Sequence, residues 1–91
     1  APAPVETAPD GVVTYRVARF QFPAVTVSPG ATLRIVDGDS EPHTVTALDG
    51  SFDSGSFDPD RPATLTAPTK PGTYKITCTI HPSMEGEIVV R

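Results

Sequence analysis

Several residue types are scarce or missing in this sequence. Its 91 residues include one cysteine, one methionine, two histidines and no tryptophan. One cysteine cannot form a disulfide within the chain, so a disulfide-stabilised fold is excluded. The single cysteine therefore needs another explanation.

Positive charge is scarce as well. Seven Lys and Arg residues stand against eleven Asp and Glu residues, which gives a formal net charge of -4. Binding to nucleic acid depends on clustered Lys and Arg that neutralise phosphates, and the sequence has no such cluster. No apolar run reaches the roughly 18 residues that a membrane-spanning helix needs. Nucleic-acid binding and direct membrane insertion are therefore not expected.

No segment of the chain has helical periodicity. Apolar residues make up 37% of the chain, and 11 prolines and 7 glycines are spread through it. Val, Ile and Thr between Pro and Gly favour short strands joined by turns. A chain of this length forms one domain that buries only roughly 60% of its unfolded surface, so a bound metal would add stability.

The first ten residues differ from the rest. Residues 1–10 are rich in Ala and Pro and lack apolar alternation, which is typical of an extended linker, so the folded domain is expected over residues 11–91. The sequence starts with Ala rather than Met, which we interpret as processing of an exported protein. We therefore expect a periplasmic or extracellular location, with the linker as a candidate tether to the cell surface.

Short alternating segments predict the strands. The first spans residues 12–22, where the apolar row shifts phase after Val17 and so predicts a bulge. A long loop around Phe52 and Phe57 is expected over residues 49–62. The other predicted strands are residues 24–28, 31–36, 42–48, 63–67, 73–78 and 86–91. Seven to eight short strands at this spacing predict an all-β fold, a two-sheet antiparallel β-sandwich with Greek-key connections.

Strand alternation places two reactive side chains on inward faces. His43 shares the face of Val45 and Ala47, because side chains alternate along a strand with period two. Cys78 ends the inward row of Tyr74 and Ile76. Both side chains are therefore expected at the edge of the core.

A compact motif follows in residues 78–84, which read Cys-x2-His-x2-Met. The candidate metal ligands are His43, Cys78, His81 and Met84, which include both histidines, the only cysteine and the only methionine. Thiolate and thioether suit Cu(I), imidazole suits both oxidation states, and a trigonal His2Cys set with a weak axial Met holds either. The pattern predicts a mononuclear copper site.

Other interpretations of these residues are open at this point. Each one alone is more often ordinary: Cys78 a buried hydrophobe, His43 a core histidine, His81 a loop residue, Met84 a gap filler. Zinc is a rival metal, but structural zinc rarely takes a thioether and catalytic zinc keeps a position open for water. A catalytic Cys-His pair is less favoured, because no oxyanion hole or orienting carboxylate is evident.

With these residues the chain resembles the cupredoxins, the type 1 blue copper proteins, and among them the amicyanin, plastocyanin and pseudoazurin group. The resemblance covers residues 20–91. Besides the ligand loop, the matching stretches are Phe22-Pro23 through Val27, Pro29-Gly30, Glu41-Pro42-His43-Thr44-Val45, Phe52-Asp53-Ser54-Gly55 and Pro71-Gly72-Thr73-Tyr74.

The resemblance implies one copper ion per chain at one end of the sandwich. It implies that His43 and His81 bind through Nδ1, Cys78 as thiolate and Met84 as a long axial contact, with electrons passing at the His81 edge. The function expected is a single-electron carrier between redox proteins, not an enzyme, since the protein fills all four ligand positions. The alternative is a periplasmic copper storage or delivery protein.

Two residues depart from the family pattern beside the ligands. Thr44 stands where these proteins usually have Asn, and we expect its shorter hydroxyl to reach Thr79 and tie the ligand segments together. Ile80 stands where amicyanin and plastocyanin have Pro. Its N–H is predicted to donate a second hydrogen bond to the Cys78 sulfur and so to raise the reduction potential.

An apolar patch is expected around the His81 edge. Pro42, Ile80 and Pro82, with Met84, form it in this prediction, and it would dock redox partners transiently while the protein stays a monomer. Acidic side chains from residue 37 to residue 60 have no Lys or Arg among them; they would either steer a basic partner or form a solvated surface. They are Asp37, Asp39, Glu41, Asp49, Asp53, Asp58 and Asp60.

Overall fold

Alternating apolar and polar residues produce strands throughout the molecule. The computed structural model describes residues 6–7 and 12–91, and within these residues it contains eight strands and no helix. No helix there is long and apolar enough to cross a membrane. The strands are β1 (Glu6–Thr7), β2 (Val13–Val17), β3 (Val25–Val27), β4 (Thr32–Asp37), β5 (Thr46–Ala47), β6 (Ala63–Thr66), β7 (Gly72–Thr77) and β8 (Glu85–Val90).

The strands form two four-stranded sheets, in the orders β1-β2-β4-β6 and β3-β8-β7-β5. The all-β Greek-key sandwich predicted from the sequence is confirmed. The sheets are mixed rather than wholly antiparallel, because β2 pairs with β4, and β3 with β8, in parallel. After β2 the chain crosses to the other sheet for β3 and returns beside β2, so that β4 runs in the same direction.

The inward rows of the two sheets meet in one core. Val13, Tyr15 and Val17 on β2 are buried, and Ile88 and Val90 on β8 are buried as predicted. Period-two alternation therefore predicted which face of β2 and which face of β8 is inward. The two rows join in a single cluster of buried side chains.

A tight turn replaces the bulge predicted within residues 12–22. The Gln21 N–H donates to the Ala18 carbonyl at 3.0 Å, and Arg19 and Phe20 have φ angles of 55° and 54°. The prediction of one bulged strand is wrong, since β2 ends at Val17 and the apolar row shifts phase because the chain turns. Two consecutive left-handed residues without a glycine cost about 1–3 kcal/mol each, so other contacts must stabilise this turn.

The segment predicted as a linker contributes one short strand. Glu6–Thr7 pairs antiparallel with residues 13–14 at the start of β2. These two residues therefore belong to a sheet rather than to an extended linker. The rest of the predicted linker, residues 1–5 and 8–10, lies outside the described residues.

The long loop after β5 packs against the segment that carries His43. Phe57 is 1% exposed. His43 N–H donates to the Phe57 carbonyl at 3.0 Å, and Phe57 N–H donates to the His43 carbonyl at 2.9 Å. The loop thus fixes the backbone of a candidate ligand.

Gly86 is expected to tolerate no side chain. A Cβ at this position on β8 would lie 2.7 Å from Phe22 Cβ, so Gly86→Ala forces the strand or the buried Phe22 ring to move. We expect a loss of about 1–3 kcal/mol in the free energy of unfolding, measured by urea denaturation of the metal-free protein. The exposed β6 substitution Thr64→Ala should change it by less than about 0.5 kcal/mol. Equal effects of the two substitutions would contradict the close approach.

Candidate metal centre

Two segments bring the four candidate ligands to one end of the sandwich. His43 lies between β4 and β5, and the other three lie in the loop from β7 to β8. That loop is closed by its own backbone, since Met84 N–H donates to the His81 carbonyl at 2.9 Å and Cys78 N–H to the Met84 carbonyl at 3.4 Å. A short closed loop between two paired strands holds its side chains in a fixed arrangement.

Three donor atoms converge there. Cys78 Sγ lies 3.9 Å from His43 Nδ1 and 3.7 Å from His81 Nδ1, and the three atoms all lie within 4.8 Å of one another. His43 and Cys78 are fully buried, while His81 is half-buried. Met84, at the end of the same loop, is buried at 4% exposure. The nitrogen that faces the sulfur is Nδ1 in both histidines, as the family resemblance implies.

The surroundings of Cys78 favour its thiolate. Burial alone would raise the pKa of the thiol, but hydrogen bonds from Thr44 N–H, His43 and His81 lower it from 9.0 to about 6. The Thr44 N–H lies 3.3 Å from Sγ. Since the thiolate is the form that binds metal, the site has the charge state a metal needs.

The Thr44 hydroxyl joins the two ligand segments, as expected from its position after His43. Thr44 Oγ1 accepts a hydrogen bond from Thr79 N–H at 3.0 Å and lies 3.3 Å from Thr79 Oγ1. It also lies 3.0 Å from Thr46 Oγ1. Its hydroxyl therefore makes the connection for which the family uses Asn.

The hydrogen bond predicted from Ile80 to the sulfur is not formed. Within residues 12–91 the backbone N–H that donates to Cys78 Sγ is that of Thr44, at 3.3 Å. Ile80 itself is 44% exposed. The predicted effect of Ile80 on the potential through that bond is therefore not supported.

Two acidic residues that sequence reasoning assigned to the surface lie against His43. Asp39 Oδ2 is 2.9 Å from His43 Nε2, and Asp37 Oδ1 is 3.8 Å from the same nitrogen. Asp37 is 8% exposed. The alternation of β4 could have found Asp37, because Leu33, Ile35 and Asp37 share the inward face.

The contact between Asp39 and His43 shifts the pKa values of both side chains. Burial lowers the pKa of His43, but hydrogen bonds with Asp39 and Cys78 outweigh it and the pKa is raised. Burial raises the pKa of Asp39, yet hydrogen bonds from Phe20 N–H, His43 and Arg19 N–H bring it below its ordinary value. Asp39 is therefore ionised, and an ionised carboxylate only accepts, so Nε2 carries the His43 proton. Nδ1 is the ring nitrogen that faces the Cys78 sulfur, and it is the atom that a metal would bind.

Phe20 covers both histidines, a role not predicted from the sequence. Its ring meets His43 edge to face with centroids 5.0 Å apart and His81 with centroids 4.9 Å apart. It is 43% exposed. Its apolar character gave no signal of this position, since the left-handed turn at residues 18–21 is what carries it there.

The residues predicted to form an apolar surface differ in their exposure. Pro42, Ile80 and Pro82 are exposed near the candidate ligands. Met84 is buried and so contributes to the interior rather than to this surface. The apolar side chain that does contact both histidines and is partly exposed is Phe20.

The donor set fits copper better than the rival metals. Two imidazole nitrogens and one thiolate sulfur face a common point, with a buried methionine in the same loop. Softness and geometry of this kind suit a type 1 copper site. A zinc site would need a harder fourth ligand or an open water position.

Comparison with known proteins agrees with the fold and the site. The family described as the cupredoxin-like domain matches residues 1–90. This chain therefore belongs to the cupredoxin family.

Among its relatives is amicyanin-alpha of Methylorubrum extorquens. It is 32% identical over 92 residues, which cover 94% of this chain and 77% of the relative. A solved structure of a reduced amicyanin variant superposes with a TM-score of 0.77 at 25% identity, covering 92% of this chain and 86% of that one. A Cu(I) amicyanin variant superposes with the same TM-score at 26% identity, covering 94% and 87%.

The Cys78 thiol is expected to titrate at low pH in the folded metal-free protein. Its pKa of about 6 should appear as a thiolate absorbance that rises through that pH, whereas urea-unfolded protein should titrate near 9.0. Because the folded pKa is depressed, the thiolate contributes stability that is fully present above about pH 9 and is lost as the pH falls through about 6. A folded midpoint at or above that of the unfolded chain would refute the expectation.

Proposed function

We propose that this cupredoxin is a single-electron carrier whose one copper ion is held by His43, Cys78, His81 and Met84. The observation that carries the proposal is the convergence of His43 Nδ1, Cys78 Sγ and His81 Nδ1 within 4.8 Å of one another. The lowered pKa of Cys78 supports it, since the thiolate is the binding form.

Copper, when bound, supplies a one-electron couple between Cu(I) and Cu(II). What the protein contributes is an arrangement of donors that is already formed. His43 is fixed through its backbone by Phe57 and through Nε2 by Asp39, and Cys78 is fixed by Thr44. Donors held in this way change little when the charge of the metal changes, which favours fast electron exchange.

Electron transfer fits the site better than substrate chemistry. All four proposed ligands come from the protein, so no position is left for a substrate. A second copper site of the enzymatic kind would need further histidines, and this sequence has two in total. The proposed function is therefore transport of electrons without catalysis.

Partners are proposed to meet the protein at the His81 end. His81 is half-buried, so part of its residue surface is accessible. Pro42, Ile80 and Pro82 are exposed and are proposed to surround that end. A small apolar surface of this type suits transient contact with redox proteins. We further propose that the protein acts as a monomer.

The cellular location is proposed from the family. Family resemblance supports a periplasmic or extracellular site of action. A tether to the cell surface through the predicted linker is part of the same proposal, and most of those residues lie outside the described part of the chain.

The copper-loaded oxidised protein should be intensely blue. A thiolate bound to Cu(II) gives a strong visible charge-transfer band, and the EPR spectrum should have the narrow copper splitting of a type 1 site. Cys78→Ser removes the thiolate and should abolish the band, while Ser83→Ala, in the same loop but outside the proposed ligand set, should keep it. A colourless protein that holds only Cu(I) would favour copper storage or delivery instead, and a preference for zinc would exclude both copper functions.

The apolar surface should control how fast electrons pass between two copies. Ile80→Lys places a charge beside His81 and should lower the self-exchange rate about tenfold, corresponding to ~1.4 kcal/mol. Leu48→Lys is the matched control, because Leu48 is also exposed, at 64%, but its backbone pairs with Lys75 on β7 and it lies outside the ligand loop. NMR line broadening in mixtures of reduced and oxidised protein measures the rate. Equal rates for the two variants would count against docking at this surface.

A further inference from the structure

One carboxylate accepts three hydrogen bonds beside the proposed copper site. Asp39 Oδ1 accepts from Arg19 N–H at 2.8 Å. Asp39 Oδ2 accepts from Phe20 N–H at 2.9 Å and from His43 Nε2–H at 2.9 Å. The same side chain therefore binds both a left-handed turn and an imidazole.

The backbone around Asp39 is itself held in place. Asp39 N–H donates to Asp37 Oδ1 at 2.8 Å, and Gly38 N–H donates to the Val17 carbonyl at 2.7 Å. A Cβ at Gly38 would lie 2.9 Å from Ala18 Cβ, so only glycine allows this close approach to the turn. The contacts of Asp37 and Gly38 thus hold the Asp39 backbone where its carboxylate can reach the turn and His43.

The turn that Asp39 binds carries Phe20. Arg19 and Phe20 are both left-handed, and both N–H groups point to the carboxylate. With the backbone fixed, the Phe20 ring lies edge to face against His43 and His81. Through the turn, Asp39 therefore also restricts the imidazole of His81, which it does not touch.

We propose that Asp39 is a positioning residue of the electron-transfer site. It holds His43 with the proton on Nε2 and Nδ1 toward Cys78, and it keeps Phe20 in place over both histidines. The proposal rests on the proposed function, because the value of a fixed imidazole pair lies in rapid electron exchange at copper. A negative charge on the far side of His43 also favours the more positive Cu(II) over Cu(I), since the carboxylate makes the imidazole a stronger donor.

The test compares Asp39→Asn with wild type in two measurements. Long-range proton-nitrogen NMR of the metal-free protein, at alkaline pH where imidazoles are neutral, reports which His43 nitrogen carries the proton. Wild type should show the Nε2–H form alone, and Asp39→Asn a mixture of both forms. In copper-loaded protein, Asp39→Asn should shift the ratio of Cu(I) to Cu(II) affinity toward Cu(I) about tenfold, which is about 59 mV upward in potential for one electron.

Two further variants separate a positioning role from a merely structural one. Asp49→Asn is the matched control, because Asp49 also accepts a backbone N–H, from Ser51, yet contacts neither histidine; it should match wild type in both measurements. Phe20→Leu retains the backbone N–H that donates to Asp39, so His43 should keep its proton on Nε2 as in wild type. If Phe20→Leu gave the same mixture of protonated forms as Asp39→Asn, packing of the Phe20 ring rather than the carboxylate would determine which His43 nitrogen carries the proton.

The proposal would be overturned if wild-type His43 carried its proton on Nδ1, or if Asp39→Asn changed neither measurement while lowering stability. The wild-type spectrum decides the first point even if Asp39→Asn does not fold. A colourless wild type would remove the proposed function and leave the metal-free NMR result valid. A blue wild type with an unchanged Asp39→Asn would remove this inference alone.

Discussion

The contact of Thr44 with the β7–β8 loop is the interaction on which the rest of the site depends. Thr44 N–H meets the sulfur of Cys78, 34 residues later in the chain, and the Thr44 hydroxyl accepts from Thr79 N–H. These bonds join a segment that follows β4 to a loop that follows β7. Burial raises the pKa of the thiol, and the Thr44 N–H bond acts against it and lowers the pKa toward the charged form. The two Thr44 bonds extend the contact between the two segments beyond the β5–β7 pairing, in which Thr46 lies opposite Thr77, to the residues beside His43 and Cys78.

His43 is constrained from three sides, and each side belongs to a different part of the chain. The loop around Phe57 holds its backbone, Asp39 holds Nε2, and the buried sulfur faces Nδ1. A long loop rich in Gly, Ser and Asp would otherwise add conformational freedom near the site. Here it pairs with the ligand segment instead, so the sandwich supplies rigidity to residues that lie outside its strands.

The site separates a buried interior from an exposed edge. His43, Cys78 and Met84 are shielded from solvent, whereas His81 is half-buried and adjoins exposed apolar residues. Burial keeps water from the donors, and the exposed edge shortens the distance over which an electron would pass to a partner. Phe20 lies across this boundary, since its ring contacts both histidines and is itself partly exposed.

The sequence by itself determined the sandwich, the inward rows and the candidate ligands, because strand side chains alternate and because His, Cys and Met in this spacing suit one metal. The contact of Thr44 with Thr79 was also predictable, given the resemblance to the cupredoxins. Tertiary structure alone decided the turn of Arg19 and Phe20, since these residues have no preference for left-handed geometry and their N–H groups bond to Asp39, 20 residues away from Arg19. It also decided that Asp37 and Asp39 face His43, that the β2–β4 and β3–β8 pairs are parallel, and that the sulfur accepts from Thr44 rather than Ile80. Each of these depends on contacts between distant segments, which local periodicity does not record.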